Sequence, residues 1–180
     1  LDKLEILRLT DNHLTGGIPD NFTNLSSLRV LKLNSNYLGC YEYDVANGTC
    51  LVHCDDREEC SGNLPEEIGA LSSLDTLWLS YNNLTGDIPE SITQLNQLTY
   101  LEFSSNNFTG SIPESICELE NLNYYDNLEF DLSWNQLCPP YPDCVPESAV
   151  QYMDLSDCLS GDVNFDGDIN VLDIVYLVNG

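Results

Sequence analysis

Between residues 162 and 173 the sequence reads DVNFDGDINVLD, which sets Asp162, Asn164, Asp166, Asp168, Asn170 and Asp173 at positions 1, 3, 5, 7, 9 and 12 of a twelve-residue loop. Gly167 falls at position 6, where such a loop must turn sharply. Position 7 contributes its backbone carbonyl, so the Asp168 side chain is not itself required. Ile169 at position 8 is placed to face a core, and position 12 is Asp, where Glu is commoner. Hard oxygen donors at these intervals suit one Ca²⁺, and the plainer alternative is an acidic surface turn.

Cysteine is the second chemistry. Cys40, Cys50, Cys54 and Cys60 form one group, and Cys117, Cys138, Cys144 and Cys158 form another. Eight cysteines so distributed suit disulfides formed in an oxidising compartment, paired within each group, with three connectivities open in each. Cys50, His53, Cys54 and Cys60 could instead ligate zinc, although their spacing matches no standard finger. Catalysis finds no support. His13 and His53, the only histidines, lie far apart, and no nucleophile elbow, metalloprotease motif or phosphate loop occurs, so no enzyme is expected.

Thirty acidic side chains face only Lys3, Arg8, Arg29, Lys32 and Arg57, for a formal net charge of −25. That balance argues against nucleic acid and anionic membrane as partners and favours cations. No apolar run approaches the ~20 residues of a membrane span. The sequence begins without Met or a signal peptide, which reads as a mature product or a fragment. With the cysteines, this predicts a secreted, extracellular or cell-surface location.

A recurring beat must position these groups. Asn12, Asn36, Asn82, Asn106 and Asn135 are each preceded by apolar residues at minus five and minus three: Leu7/Leu9, Leu31/Leu33, Leu77/Leu79, Leu101/Phe103 and Phe130/Leu132. The intervals of 24, 46, 24 and 29 residues describe a 24-residue repeat with one insertion of 22 residues, between Leu38 and Gly62, and one of five near Asn123–Asn127. Alternation makes each coil a short strand on a shared core, and the Asn carboxamides are placed to satisfy backbone groups from coil to coil. The tails NHLTGGIP at 12–19, NNLTGDIP at 82–89 and NNFTGSIP at 106–113, with GNLP at 62–65, resemble the plant-type leucine-rich repeat, a pattern also carried by bacterial secreted proteins.

The resemblance implies an α/β repeat fold: a leucine-rich-repeat solenoid with parallel strands on its concave face and helices on its outer side. The solenoid is expected over 1–137, with a cysteine-rich insertion at about 39–61, followed by a cysteine- and proline-rich cap at 138–160. Gly161, the loop at 162–173 and the apolar segment after it resemble one half of a type I dockerin repeat, so 161–180 is expected to be an EF-hand-like calcium loop plus helix. A complete dockerin has two such halves and docks to cohesin; only one is present here, which leaves cohesin docking in doubt.

The strand alternation also says which side chains point away from the core. Both tryptophans, Trp78 and Trp134, fall there with Tyr81 and Tyr100, as ligand-binding candidates or as cross-strand packing. Arg8 and Lys32 lie at one end of this face and Glu102 and Asp131 at the other. Sequons at Asn21, Asn24, Asn47, Asn83 and Asn107 are candidate glycosylation sites. Two readings follow: a recognition module for a protein or glycan ligand, attached or assembled through its calcium segment, or a structural subunit. The second rests on Leu1, Leu4, Leu7 and Leu9, which enter a repeat at once and leave a strand edge for head-to-tail self-association into a filament.

Overall fold

A computed structural model describes residues 3–155 and Cys158. Leu1 and the loop carrying Asp162, Asn164, Asp166, Asp168, Asn170 and Asp173, with all of 161–180, lie outside the described residues. In chain order the strands are β1 (Ile6–Arg8), β2 (Val30–Lys32), β3 (Cys40–Asp44), β4 (Thr49–His53), β5 (Thr76–Trp78), β6 (Thr85–Asp87), β7 (Tyr100–Glu102), β8 (Asn107–Thr109) and β9 (Phe130–Asp131). Strands β1, β2, β5, β7 and β9 form one five-stranded parallel sheet in that order.

Register carries the core. Leu7, Leu31, Leu77, Leu101 and Phe130 are partners across the sheet, and the last four are fully buried. Leu28, Leu74 and Leu98, which precede the strands, and Leu79, Phe103 and Leu132, which follow them, close the same cluster. Burying one such side chain stabilises by about 1.5–3 kcal/mol, so the 24-residue period is an energetic repeat as well as a geometric one.

The marker asparagines lock the coils together. Asn106 donates from Nδ2 to the carbonyls of Leu79 and Phe103 and accepts the Leu84 N–H on Oδ1. Asn36, Asn82 and Asn135 repeat the pattern one coil at a time. The residue before each marker adopts a left-handed conformation, at Asp11, Ser35, Tyr81, Ser105 and Trp134, with φ between 52° and 58°. Tyr152 extends this column at φ 59°. The segment expected to be a cap therefore adds a sixth rung: Leu132 and Trp134 donate to the carbonyls of Ala149 and Gln151.

The helical part of the α/β expectation is corrected. Among the described residues no α-helix occurs; the return segments are short 3₁₀ helices at Asp20–Asn24, Ile68–Ala70, Glu90–Gln94, Glu114–Glu118 and Glu147–Val150. Each runs for three to five residues, and in the first four the leucine that follows turns the chain back toward the next strand. Too few residues are available for two α-helical turns, whereas an i→i+3 bond such as Leu95 N–H to Ile92 C=O closes in one.

Two further elements went unread in the sequence. Strands β6 and β8 pair in parallel as a second, smaller sheet beside the core. The insertion is not an irregular loop: β3 and β4 make an antiparallel hairpin. It leaves the solenoid at Gly39, which has φ 90° and lies so close to the next coil that a Cβ there would run into the carbonyl oxygen of Asn83. Gly39→Ala is therefore expected to cost more than 1 kcal/mol in equilibrium unfolding, through both strain and collision.

Candidate recognition surface

The eight cysteines form four disulfides, Cys40–Cys50, Cys54–Cys60, Cys117–Cys144 and Cys138–Cys158. Each stays within its own group. Zinc at Cys50, His53, Cys54 and Cys60 is thereby corrected, because no thiolate is left to ligate. The first two bridges fasten the hairpin and the segment after it, and the other two fasten the sixth rung to coil four and coil five. Among the described residues no cluster of His, Cys, Asp and Glu could hold a metal ion.

Sheet register turns the outward residues into rows. The middle row runs Arg8, Lys32, Trp78, Glu102, Asp131, from cationic to anionic. Lys32 lays its ammonium over the Trp78 ring, 4.1 Å from the centroid, a cation–π contact. Burial, and secondarily Arg8, lower the Lys32 pKa. The Trp78 indole N–H donates to Ser80 Oγ at 2.7 Å, so this ring is held in one pose.

Glu102, next in the row, is only 7% exposed. Burial first and the Asp131 carboxylate second raise its pKa from 4.5 to about 8, against the smaller opposing effect of the Ser104 hydroxyl. At neutral pH this carboxyl holds its proton and can donate a hydrogen bond. Because the folded pKa lies above the unfolded one, the stabilisation linked to this proton is complete below pH 4.5 and is lost as pH rises through about 8. Glu102→Gln should remove that slope, so unfolding free energies of the variant and the parent will diverge in the variant's favour between those pH values by a few kcal/mol. A parent whose stability has no such slope would contradict the assignment.

The four aromatic candidates share the concave side without meeting as one cluster. Trp78 is half-buried under Lys32, while Tyr81, Tyr100 and Trp134 are 63%, 39% and 57% exposed. Trp134 stacks on Tyr152, centroids 4.4 Å apart and planes 21° apart. Tyr152 escaped sequence reading because its rung lacks the marker asparagine; Met153 stands in that place.

The hairpin adds a wall at the lip of the sheet. Tyr43 of β3 stacks on Tyr37 at 3.5 Å, and His13 packs against Tyr37 at 5.5 Å. With Asp11, Tyr81 and Asn83 these rings line an open cleft of about 550 Å³. Sequence alone could not place this cleft, since it depends on where the insertion folds. Of the sequons, Asn21, Asn24 and Asn47 are exposed, whereas Asn83 and Asn107 are half-buried and line clefts.

A family model described as Leucine rich repeat matches residues 2–48, and a second of that description matches 73–95 and 97–119. The solenoid is a leucine-rich-repeat domain of the plant extracellular type, disulfide-bonded and similar to receptor ectodomains. Among solved structures, that of PEPR1–AtPEP1 is 33% identical with a TM-score of 0.62, over 79% of this chain and 16% of that one. The BIR3–SERK2 complex from Arabidopsis thaliana is 30% identical with a TM-score of 0.59, over 77% and 60%. The Arabidopsis receptor kinase HAESA, in complex with the peptide hormone IDA and the co-receptor SERK1, is 26% identical with a TM-score of 0.64, over 85% and 22%. The chain thus spans only part of the length of these relatives. No curated protein matches it. Among the described residues no helix is long and apolar enough to cross a membrane.

Proposed function

We propose that this domain is an extracellular recognition module that takes an extended peptide segment of a protein partner across its concave face. The observation that carries the reading is the middle row, where charge runs from Arg8 and Lys32 through Trp78 and the protonated Glu102 to Asp131 on a hydrogen-bonded frame. Five rungs at ~4.8 Å span roughly 19 Å, about six residues of extended peptide. Acidic side chains of that peptide belong over Arg8 and Lys32, and basic ones over Asp131. The likeness to HAESA, solved with a peptide hormone, supports a peptide over other ligands.

Selection from a random linear peptide library tests this. Enriched peptides should be acidic toward one end and basic toward the other. Lys32→Glu and Asp131→Lys should each weaken them about tenfold, the effect of one lost charge pair. Peptides indifferent to both reversals would overturn the reading.

The run Asp162–Asp173 is proposed, on its sequence, to hold the Ca²⁺ that would order an attachment segment. Calorimetry on the intact oxidised chain checks it, and an absence of binding at millimolar calcium would remove the proposal, since even weak extracellular modules bind in about that range.

A further inference from the structure

The left-handed column along the lip of the sheet reads Asp11, Ser35, Tyr81, Ser105, Trp134, Tyr152. Its members are joined rung to rung by backbone hydrogen bonds: Ser35 N–H to Ser80 C=O, Tyr81 N–H to Ser104 C=O, Ser105 N–H to Ser133 C=O and Trp134 N–H to Gln151 C=O. Tyr81, Ser105 and Trp134 have φ of 57°, 57° and 58°, so their Cβ atoms leave the backbone in parallel. Two ring-bearing rungs therefore flank a serine rung, and the distance between them is roughly 10 Å, twice the strand spacing.

Where rings occupy adjacent rungs of this column they stack, as Trp134 and Tyr152 do at 4.4 Å. Over Ser105 the stack lacks a member. A flat ring placed there would lie about one stacking distance from the rungs of both Tyr81 and Trp134, with the Ser105 hydroxyl beneath it. Tyr81 and Ser105 also line the cleft beside the hairpin, where Asp11, His13 and Asn83 offer hydrogen-bonding groups and, among the described residues, no Lys or Arg is part of the lining.

We infer that the gap over Ser105 is a sugar-binding slot, in which a neutral pyranose is held between the Tyr81 and Trp134 rungs while its neighbouring residue reaches the hairpin cleft. The chemistry selects the occupant. A pyranose is flat on its C–H faces and ringed by hydroxyls, which suits aromatic walls opening onto Asp, Asn, Ser and His. An acidic sugar is disfavoured by the absence of Lys and Arg from the described residues lining the cleft and by the net charge of −25. This slot is separate from the middle row of the sheet, so it stands whether or not that row takes a peptide.

Calorimetry and tryptophan fluorescence with cellohexaose, xylohexaose and chitohexaose test it. At least one neutral hexasaccharide should bind saturably and change the emission of Trp134, read against a Trp78→Phe background. Two substitutions probe the gap without disturbing the backbone. Tyr81→Asn removes a wall with a residue that tolerates the left-handed conformation, and Ser105→Tyr fills the gap with a ring that Tyr81 shows to be accommodated there. Each should weaken sugar binding about tenfold, the value of one lost ring contact. Selection of peptides on the middle row should be unchanged in both. Failure of all three sugars to bind, sugar binding that survives Ser105→Tyr, or occupation of the gap by N-acetyltyrosinamide in preference to the sugars would each overturn the inference.

Discussion

Asn106→Ala should destabilise the domain by about 3 kcal/mol, with Asn12→Ala as its near-silent counterpart. The Asn106 carboxamide is 7% exposed and makes three hydrogen bonds to backbone, two of them to the preceding coil, at Leu79 and Leu84, and one to Phe103 of its own coil. Alanine leaves the Leu84 N–H without a partner, which costs about 1–3 kcal/mol for the buried donor alone. The Leu79 and Phe103 carbonyls retain one donor each, from Asn82 and Asn135, so their loss is partial. Asn12 is exposed and bonds only to carbonyls of its own coil, at Leu9 and Thr10, so its removal should stay within about 0.5 kcal/mol. Urea unfolding of both variants reads the contrast. Equal losses at the two positions would contradict the ladder as the source of cohesion between coils.

The second large effect is expected from the bridge between Cys117 and Cys144, which ties the sixth rung to coil four across a separation of 27 residues. Loop-closure entropy sets its contribution at about 3.5 kcal/mol, compared with about 2 kcal/mol for Cys54–Cys60, whose partners are six residues apart. The double variant Cys117→Ala, Cys144→Ala should lose about that much in denaturant unfolding. The amides of Leu132 and Trp134, which donate into the sixth rung, should also exchange faster than those of β5. If the protection of those two amides is untouched, the bridge does not hold the rung.

How far the sequence could be read follows from what each residue encodes locally. Leu77, Leu79 and Asn82 determine a buried strand and a coil-to-coil hydrogen bond by their spacing alone, so the solenoid was legible in sequence. The outer 3₁₀ turns were not, because nothing local in segments such as Glu90–Gln94 separates a 3₁₀ turn from an α-helical one, and it is the shortness of the coil that forbids the second. The hairpin was hidden for a different reason. Its cysteines announced bridging, but the pairing of β3 with β4 and the stack of Tyr43 on Tyr37 depend on where the insertion returns to the solenoid.

The candidate surface divides in the same way. Trp78 and Trp134 were placed on the concave side by alternation, whereas the proton held by Glu102 comes from burial beside Asp131, which no spacing rule reports. Tyr152 lies one rung past the last marker asparagine, so its stack on Trp134 emerges only once Gln151 is seen accepting from Trp134.

A crystal structure of the domain with its tightest library-selected peptide decides whether the middle row is the recognition surface. The peptide should run across the strands over Lys32, Trp78 and Asp131, with its acidic end toward Arg8. A peptide seated instead against the outer 3₁₀ segments, leaving that row open, would contradict that role.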